Sequence, residues 1–156
     1  MVRVSTPVPA LEPAFDVVVH LGPLQDHGQT SAGHRRVIPI VGGSVSGAFE
    51  AEILPGGADW QIVRPDGAIE VDARYSACTP DGALLLLHAT GVRSGPPEVL
   101  AALLRGEPVD PSAYYFRTIV RVEASDPALA FLQDALFLAA AVRSADRVTY
   151  TAYRVT

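Results

Sequence analysis

Strand-length runs rich in Val, Ile, Thr and Tyr recur along this chain, and Gly or Pro closes most of them. That punctuation constrains the fold more than any other feature. AFDVVVHL (14–21) ends at Gly22-Pro23, RRVIPIV (35–41) at GGSVSG, and AFEAEIL (48–54) at Pro55-Gly56-Gly57. Two further runs flank the turn PDG at 65–67, and GALLLLHATGV, YYFRTIVRVEA and DRVTYTAYRV complete the set. β-Branched and aromatic residues fit a pleated, half-buried surface, while Gly and Pro set the turns between. GALLLLHATGV (82–92) predicts a buried strand, because its apolar residues are continuous rather than alternating. About eight short strands, with helices only late in the chain, predict a mainly β domain. Its antiparallel sheet should curl into a barrel, since closure removes exposed edges, and a small closed barrel can hold one ligand.

Two helices are expected in the C-terminal half. In PPEVLAALLRGE, Pro97 suits the first helical position and Gly106 the position past the end, with Val99, Leu100, Leu103 and Leu104 on one stripe. The second is predicted over 127–142, with Asp126 as its N-cap. Leu129, Leu132, Leu136 and Ala139 share one face, and Phe131, Phe137 and Leu138 make other sides apolar too. Such a helix needs cover from the sheet and from a second body, so it is the expected contact of a homo-oligomer.

A chain of 156 residues fits one domain (1–156), with 1–10 as an N-terminal extension. A net charge of −5, no Lys, and Arg scattered apart from Arg35–Arg36 argue against a nucleic-acid partner. The single Cys78 excludes an internal disulfide. MVRVSTPVPALEP has no apolar core of signal-peptide length, and ALFLAAAV (135–142) is too short to span a bilayer. These features predict a soluble, cytoplasmic protein that neither crosses nor binds a membrane.

Chemistry concentrates around GGADWQIVRPDGAIEVDARY (56–75). A four-residue turn Arg64–Gly67 would set Asp59 opposite Asp72 and Trp60 opposite Val71. A bulge at Gly67 would instead set Trp60 opposite Asp72 and Asp59 opposite Ala73. The first register sorts polar from apolar cleanly and is preferred. Paired carboxylates cannot both ionise comfortably, so one becomes an acid and the other a base, with Arg74 able to hold one ionised. The bland alternative is a solvated stripe of Asp59, Asp72 and Arg74.

GGADWQ, the DG turns, DARY, TGVR and YYFRT, with GHRRVIPIVGGSVSG upstream, resemble the bacterial DUF3237 family, also called UPF0311. The resemblance covers roughly residues 11 to 156. It implies a single-domain barrel of the lipocalin-like or calycin-like type. Its motifs DW, DARY and YFRT correspond to Asp59, Trp60, Asp72, Arg74, Tyr75, Tyr115 and Arg117, which it implies as candidate pocket residues. One departure is that His88, Ala89 and Thr90 precede Gly91 where an amide is expected.

On the strand YYFRTIV, Arg117 shares a face with Tyr115 and Ile119. Pointing inward, it would bind a carboxylate, phenolate or enolate; pointing outward, it joins Arg121 and Glu123 in a solvated ladder. Tyr75 and Tyr115 could donate to a ligand or simply pack with a wet hydroxyl. His20, His27, His34 and His88 show no metal spacing, so no metal is expected. His34 and His27 lie in a Gly-containing loop that could cap the barrel mouth, and one could serve as a base. GGSVSG matches neither GxGxxG nor GxSxG and reads as a hairpin turn, so no cofactor is expected. Cys78 reads as a small strand-end residue.

The leading expectation is a barrel that binds a small organic molecule and performs cofactor-independent proton transfer: isomerisation, elimination, hydration or cyclisation. Asp59 or Asp72 moves the proton, Arg117 and Arg74 stabilise negative charge, and Trp60, Tyr75, Tyr115 and His34 contact the ligand. The alternatives are a non-catalytic carrier or sensor and a structural oligomeric subunit.

Overall fold

Alternation builds the wall. On strand after strand, every second side chain is buried and its neighbours face out. The computed structural model describes residues 4–156. Its strands are β1 (Leu11–Leu21), β2 (Gln25–Thr30), β3 (Gly33–Gly47), β4 (Ala51–Ile53), β5 (Gly57–Val63), β6 (Ile69–Cys78), β7 (Leu84–Ser94), β8 (Tyr115–Ala124), β9 (Phe137–Arg143) and β10 (Arg147–Val155). Helix α1 (Pro97–Leu104) follows β7, and 3-10 turns occupy Pro111–Ala113 and Pro127–Gln133.

All ladders are antiparallel, in the order β1-β10-β9-β8-β7-β6-β4-β3, and β1 pairs back onto β3. The short β4 and β5 follow one another between β3 and β6, so the closed wall has eight strand positions. The predicted closed antiparallel barrel is thus the observed one. β2 folds over the rim as a hairpin with the first half of β3, so the expected Gly- and His-containing loop is ordered by a ladder.

The two ends of the barrel differ. One is plugged by Phe15, packed edge-on to Phe49 at 5.1 Å and tilted against Phe137 at 5.2 Å. Leu132 and Leu129 of the second 3-10 turn close it further. At the other end, α1 buries Leu100 and Leu103, with Pro97 in its first turn as predicted.

Four expectations need correction. No helix runs over 127–142: a 3-10 turn capped by the Asp126 carboxylate gives way to β9. There Phe137, Ala139 and Ala141 are buried and alternate with half-buried Leu138, Ala140 and Val142, a period of two that small alanines had disguised. β8 and β10 flank β9 and satisfy its backbone groups, so the segment expected to carry an oligomer contact as a helix is instead part of the wall. GGSVSG is not a turn but the second half of β3, paired with β1. Gly43 has φ +141°, and a Cβ there would lie 2.0 Å from the Val18 carbonyl oxygen, so only Gly lets the two strands meet. β7 is buried on one face only, since Leu84 and Leu86 are exposed.

The fourth correction concerns the β5–β6 hairpin. Its register sets Asp59 opposite Ala73, the bulged alternative rather than the preferred one. Gly67 takes φ +85° and donates to the Arg64 carbonyl, while Arg64 N donates to the carbonyl of Ala68 and the Asp66 carboxylate accepts from Ala68 N. Gly67 is the extra residue, and it shifts β6 by one position against β5.

Candidate active site

That one-residue shift sends the two aspartates to opposite sides of the wall. Asp59 shares the inner face of β5 with Gln61. Asp72 lies on the outer face of β6, hydrogen-bonded to His88 Nε2 at 2.8 Å, with Arg74 Nε at 3.8 Å. Trp60, Arg74, Tyr115 and Arg117 also lie on the outer wall. Trp60 and Tyr115 are exposed, and the Arg117 guanidinium stacks 5.5 Å above the Tyr115 ring and donates to the Phe116 carbonyl. Of the two orientations open to Arg117, the outward one holds. His34 sits on the rim, 2.7 Å from Asp26. Asp59 and Tyr75 alone of the expected set share the interior.

The interior is a cavity of about 50 Å³, room for a few waters, between apolar walls that include Ile38, Ile40, Val71 and Phe116. Its polar groups come from six strands, among them Asp59 and Gln61 on β5, Tyr75 on β6, Thr118 on β8, Tyr150 on β10, and Arg143 at the end of β9. Arg93 of β7 joins them, its guanidinium 5.7 Å from the Phe116 ring. A depression of about 810 Å³ on the outer wall, near Arg74, His88 and Arg121, is larger, but its charged side chains are bathed by solvent.

Burial raises the Asp59 pKa, against the pull of Gln61 Nε2 on Oδ2 at 2.8 Å, of Asp72 N on Oδ1 at 3.1 Å, and of the Arg93 charge. The Tyr75 and Tyr150 hydroxyls hydrogen-bond to each other, and burial pushes both phenols well above their ordinary range. Two hydroxyls that share one bond use one of their two protons. The other proton is free to meet a ligand oxygen in the cavity.

Above the cavity a mouth of about 360 Å³ opens between Pro23, Leu24 and the end of α1. Arg93 and Arg143 line both spaces, and Arg36 lines the mouth. Arg143 is held by the Ser144 and Arg147 carbonyls. Burial lowers the pKa of all three arginines, that of Arg93 to about 10, and the Asp59 charge opposes the fall in each.

Sequence reading did not single out Arg36, Gln61, Arg93, Thr118, Arg143 or Tyr150. A signal existed for some of them. Arg36 alternates with Ile38 and Ile40, and Tyr150 with Ala152, so a strict two-residue count from any buried neighbour turns them inward. Among the described residues, no group of three or more His, Cys, Asp or Glu side chains could hold a metal ion.

Residues 9–155 match the model of a family described as a protein of unknown function, DUF3237. A UPF0311 protein of Bradyrhizobium diazoefficiens is 41% identical over 150 residues, 96% of this chain and 99% of that one. The crystal structure of a conserved protein of unknown function from Rhodopseudomonas palustris matches with a TM-score of 0.90 at 40% identity, over 97% of this chain and 100% of that one. An enzyme from Penicillium herquei matches with a TM-score of 0.69 at 20% identity, over 96% and 99%, a likeness of fold alone.

Proposed function

This chain belongs to the DUF3237 family, and on that premise we propose that the mouth and the interior beneath it together bind a small organic molecule, on which Asp59 moves a proton. The observation that carries the reading is the desolvated Asp59 carboxyl beside the buried Tyr75–Tyr150 pair. A carboxyl whose pKa burial raises is a stronger base than an ordinary carboxylate and holds its proton to higher pH, so it can take and return one. The free hydroxyl proton of the tyrosine pair would bind a substrate carbonyl oxygen and stabilise the enolate that forms when Asp59 takes a neighbouring C–H proton. Returned to another carbon, that proton gives isomerisation; loss of a leaving group gives elimination. These side chains supply proton transfer by themselves. The Penicillium herquei protein, described as an enzyme, supports the reading at the level of fold only.

Proton transfer leaves a mark in heavy water. The protein is incubated in D₂O with the small-molecule extract of a bacterium that encodes a family member, and the metabolites are weighed by mass spectrometry. The wild type should introduce deuterium into one or a few compounds, and Asp59→Asn should lose at least ~100-fold of that rate. Native mass spectrometry should show the same compounds retained by Asp59→Asn. Retention without any exchange in the wild type would establish a carrier instead. Equal exchange by both proteins would remove Asp59 from the chemistry.

A further inference from the structure

We propose that Arg36, Arg93 and Arg143 form an anion-selecting collar between mouth and interior, and that the ligand is a small organic acid whose carboxylate sits on this collar. The inference rests on the reading of the interior as a ligand site and names the class of ligand it admits.

Charge balance is the first argument. Guanidiniums from three strands line the mouth, and those of Arg93 and Arg143 line the cavity as well. The carboxylate on the inner side is Asp59. Asp26, the other acid that acts on Arg36, is already taken by Gly28 N and by His34, and Asp146, which acts on Arg143, is taken by Arg147. Cations crowded together around one carboxylate cost stability unless a further anion joins them. Arg36 and Arg93 are only 8% and 3% exposed.

Unmet hydrogen bonding is the second argument. The Nε–H groups of Arg36 and Arg93 have no acceptor, and neither has Gln61 Oε1 a donor, among the described residues. Buried donors left unpaired are rare, because each forfeits its bond to water. Guanidinium donors are forked to match the two oxygens of a carboxylate. Even at a pKa of about 10, Arg93 is cationic at neutral pH.

Space is the third argument. The mouth, about 360 Å³, falls in the range of small-ligand sites, and Leu24, Ile38, Leu103 and Leu104 give it apolar flanks. An acid bound by its carboxylate at the collar lays its carbon skeleton against those flanks or points it down toward Asp59.

The probes are sodium benzoate, benzamide and inorganic phosphate, titrated calorimetrically into the full-length protein at low ionic strength. Benzoate should bind at least tenfold more tightly than the isosteric, uncharged benzamide. Arg93→Met should weaken benzoate at least tenfold and leave benzamide unchanged. Arg36→Met and Arg93→Lys provide the same comparison if Arg93→Met does not fold, and Lys should retain part of the affinity. Arg121→Gln on the outer wall should match the wild type. Equal binding of benzoate and benzamide, phosphate binding without benzoate binding, benzoate binding indifferent to the arginines, or no benzoate binding below ~10 mM would each overturn the collar. Asp59→Asn separates the two proposals. If it binds benzoate as the wild type does and also exchanges deuterium as the wild type does, the collar stands and the catalytic reading falls. If it loses exchange while benzoate ignores the arginines, the reverse holds.

Discussion

The Tyr75–Tyr150 pair joins β6 to β10 across the barrel with both rings buried, so its hydroxyls must satisfy each other. Tyr75→Phe strands the Tyr150 hydroxyl and should cost about 1–3 kcal/mol, and Tyr150→Phe should do likewise. The double variant removes both groups and should cost less than the sum, which urea unfolding of the four proteins will measure. Asp59 makes a prediction in pH. Its native pKa lies above the ordinary 3.8, so its contribution to stability is complete below 3.8 and is lost as pH rises through the raised value. The charges acting on it or answering to it are Arg36, Arg93, Arg143 and Asp72. Asp59→Asn cannot ionise, so the stability of the wild type relative to this variant should fall as pH rises across that window. Urea titrations from roughly pH 3 to 7 test the sign. Inward placement was legible where motif and burial coincide, as at Asp59 and Tyr75. They were illegible where a single shift in pairing decides the face, as at Asp72, or where two arginines adjoin and only alternation tells Arg36 from Arg35, which bonds outward to the Trp60 carbonyl.

Elements were read best where β-branched residues alternate, as in β1, β8 and β10, and where proline marks a helix start, as at Pro97 of α1. They were misread where small residues erase the pattern. Alanines made β9 resemble a helix, and glycines made the second half of β3 resemble a turn. In β3 the glycine serves contact between strands. Gly43→Ala would press a methyl group into the Val18 carbonyl at a backbone angle that L residues avoid. It should cost roughly 2 kcal/mol or more, with a drop in Tm of several degrees, by thermal unfolding. A variant as stable as the wild type would mean that β1 and β3 do not pair through this segment.

At the scale of the molecule, closure was foreseeable from the count of strands and the economy of having no edge. What closes the barrel, a first strand paired with both β10 and β3, is long-range and leaves no local mark. Removal of residues 147–156 deletes β10 and bares the edges of β1 and β9. The truncated chain should give no folded monomer on size-exclusion chromatography and should aggregate, while the full chain elutes folded. The aromatic plug of Phe15, Phe49 and Phe137 has a kinetic corollary. With that end filled, the mouth beside Arg36, Arg93 and Arg143 is the opening the described residues leave toward the cavity. Were the proposed chemistry to run there, a product that kept its negative group would leave past the guanidiniums assigned to entry and compete with the next molecule for them.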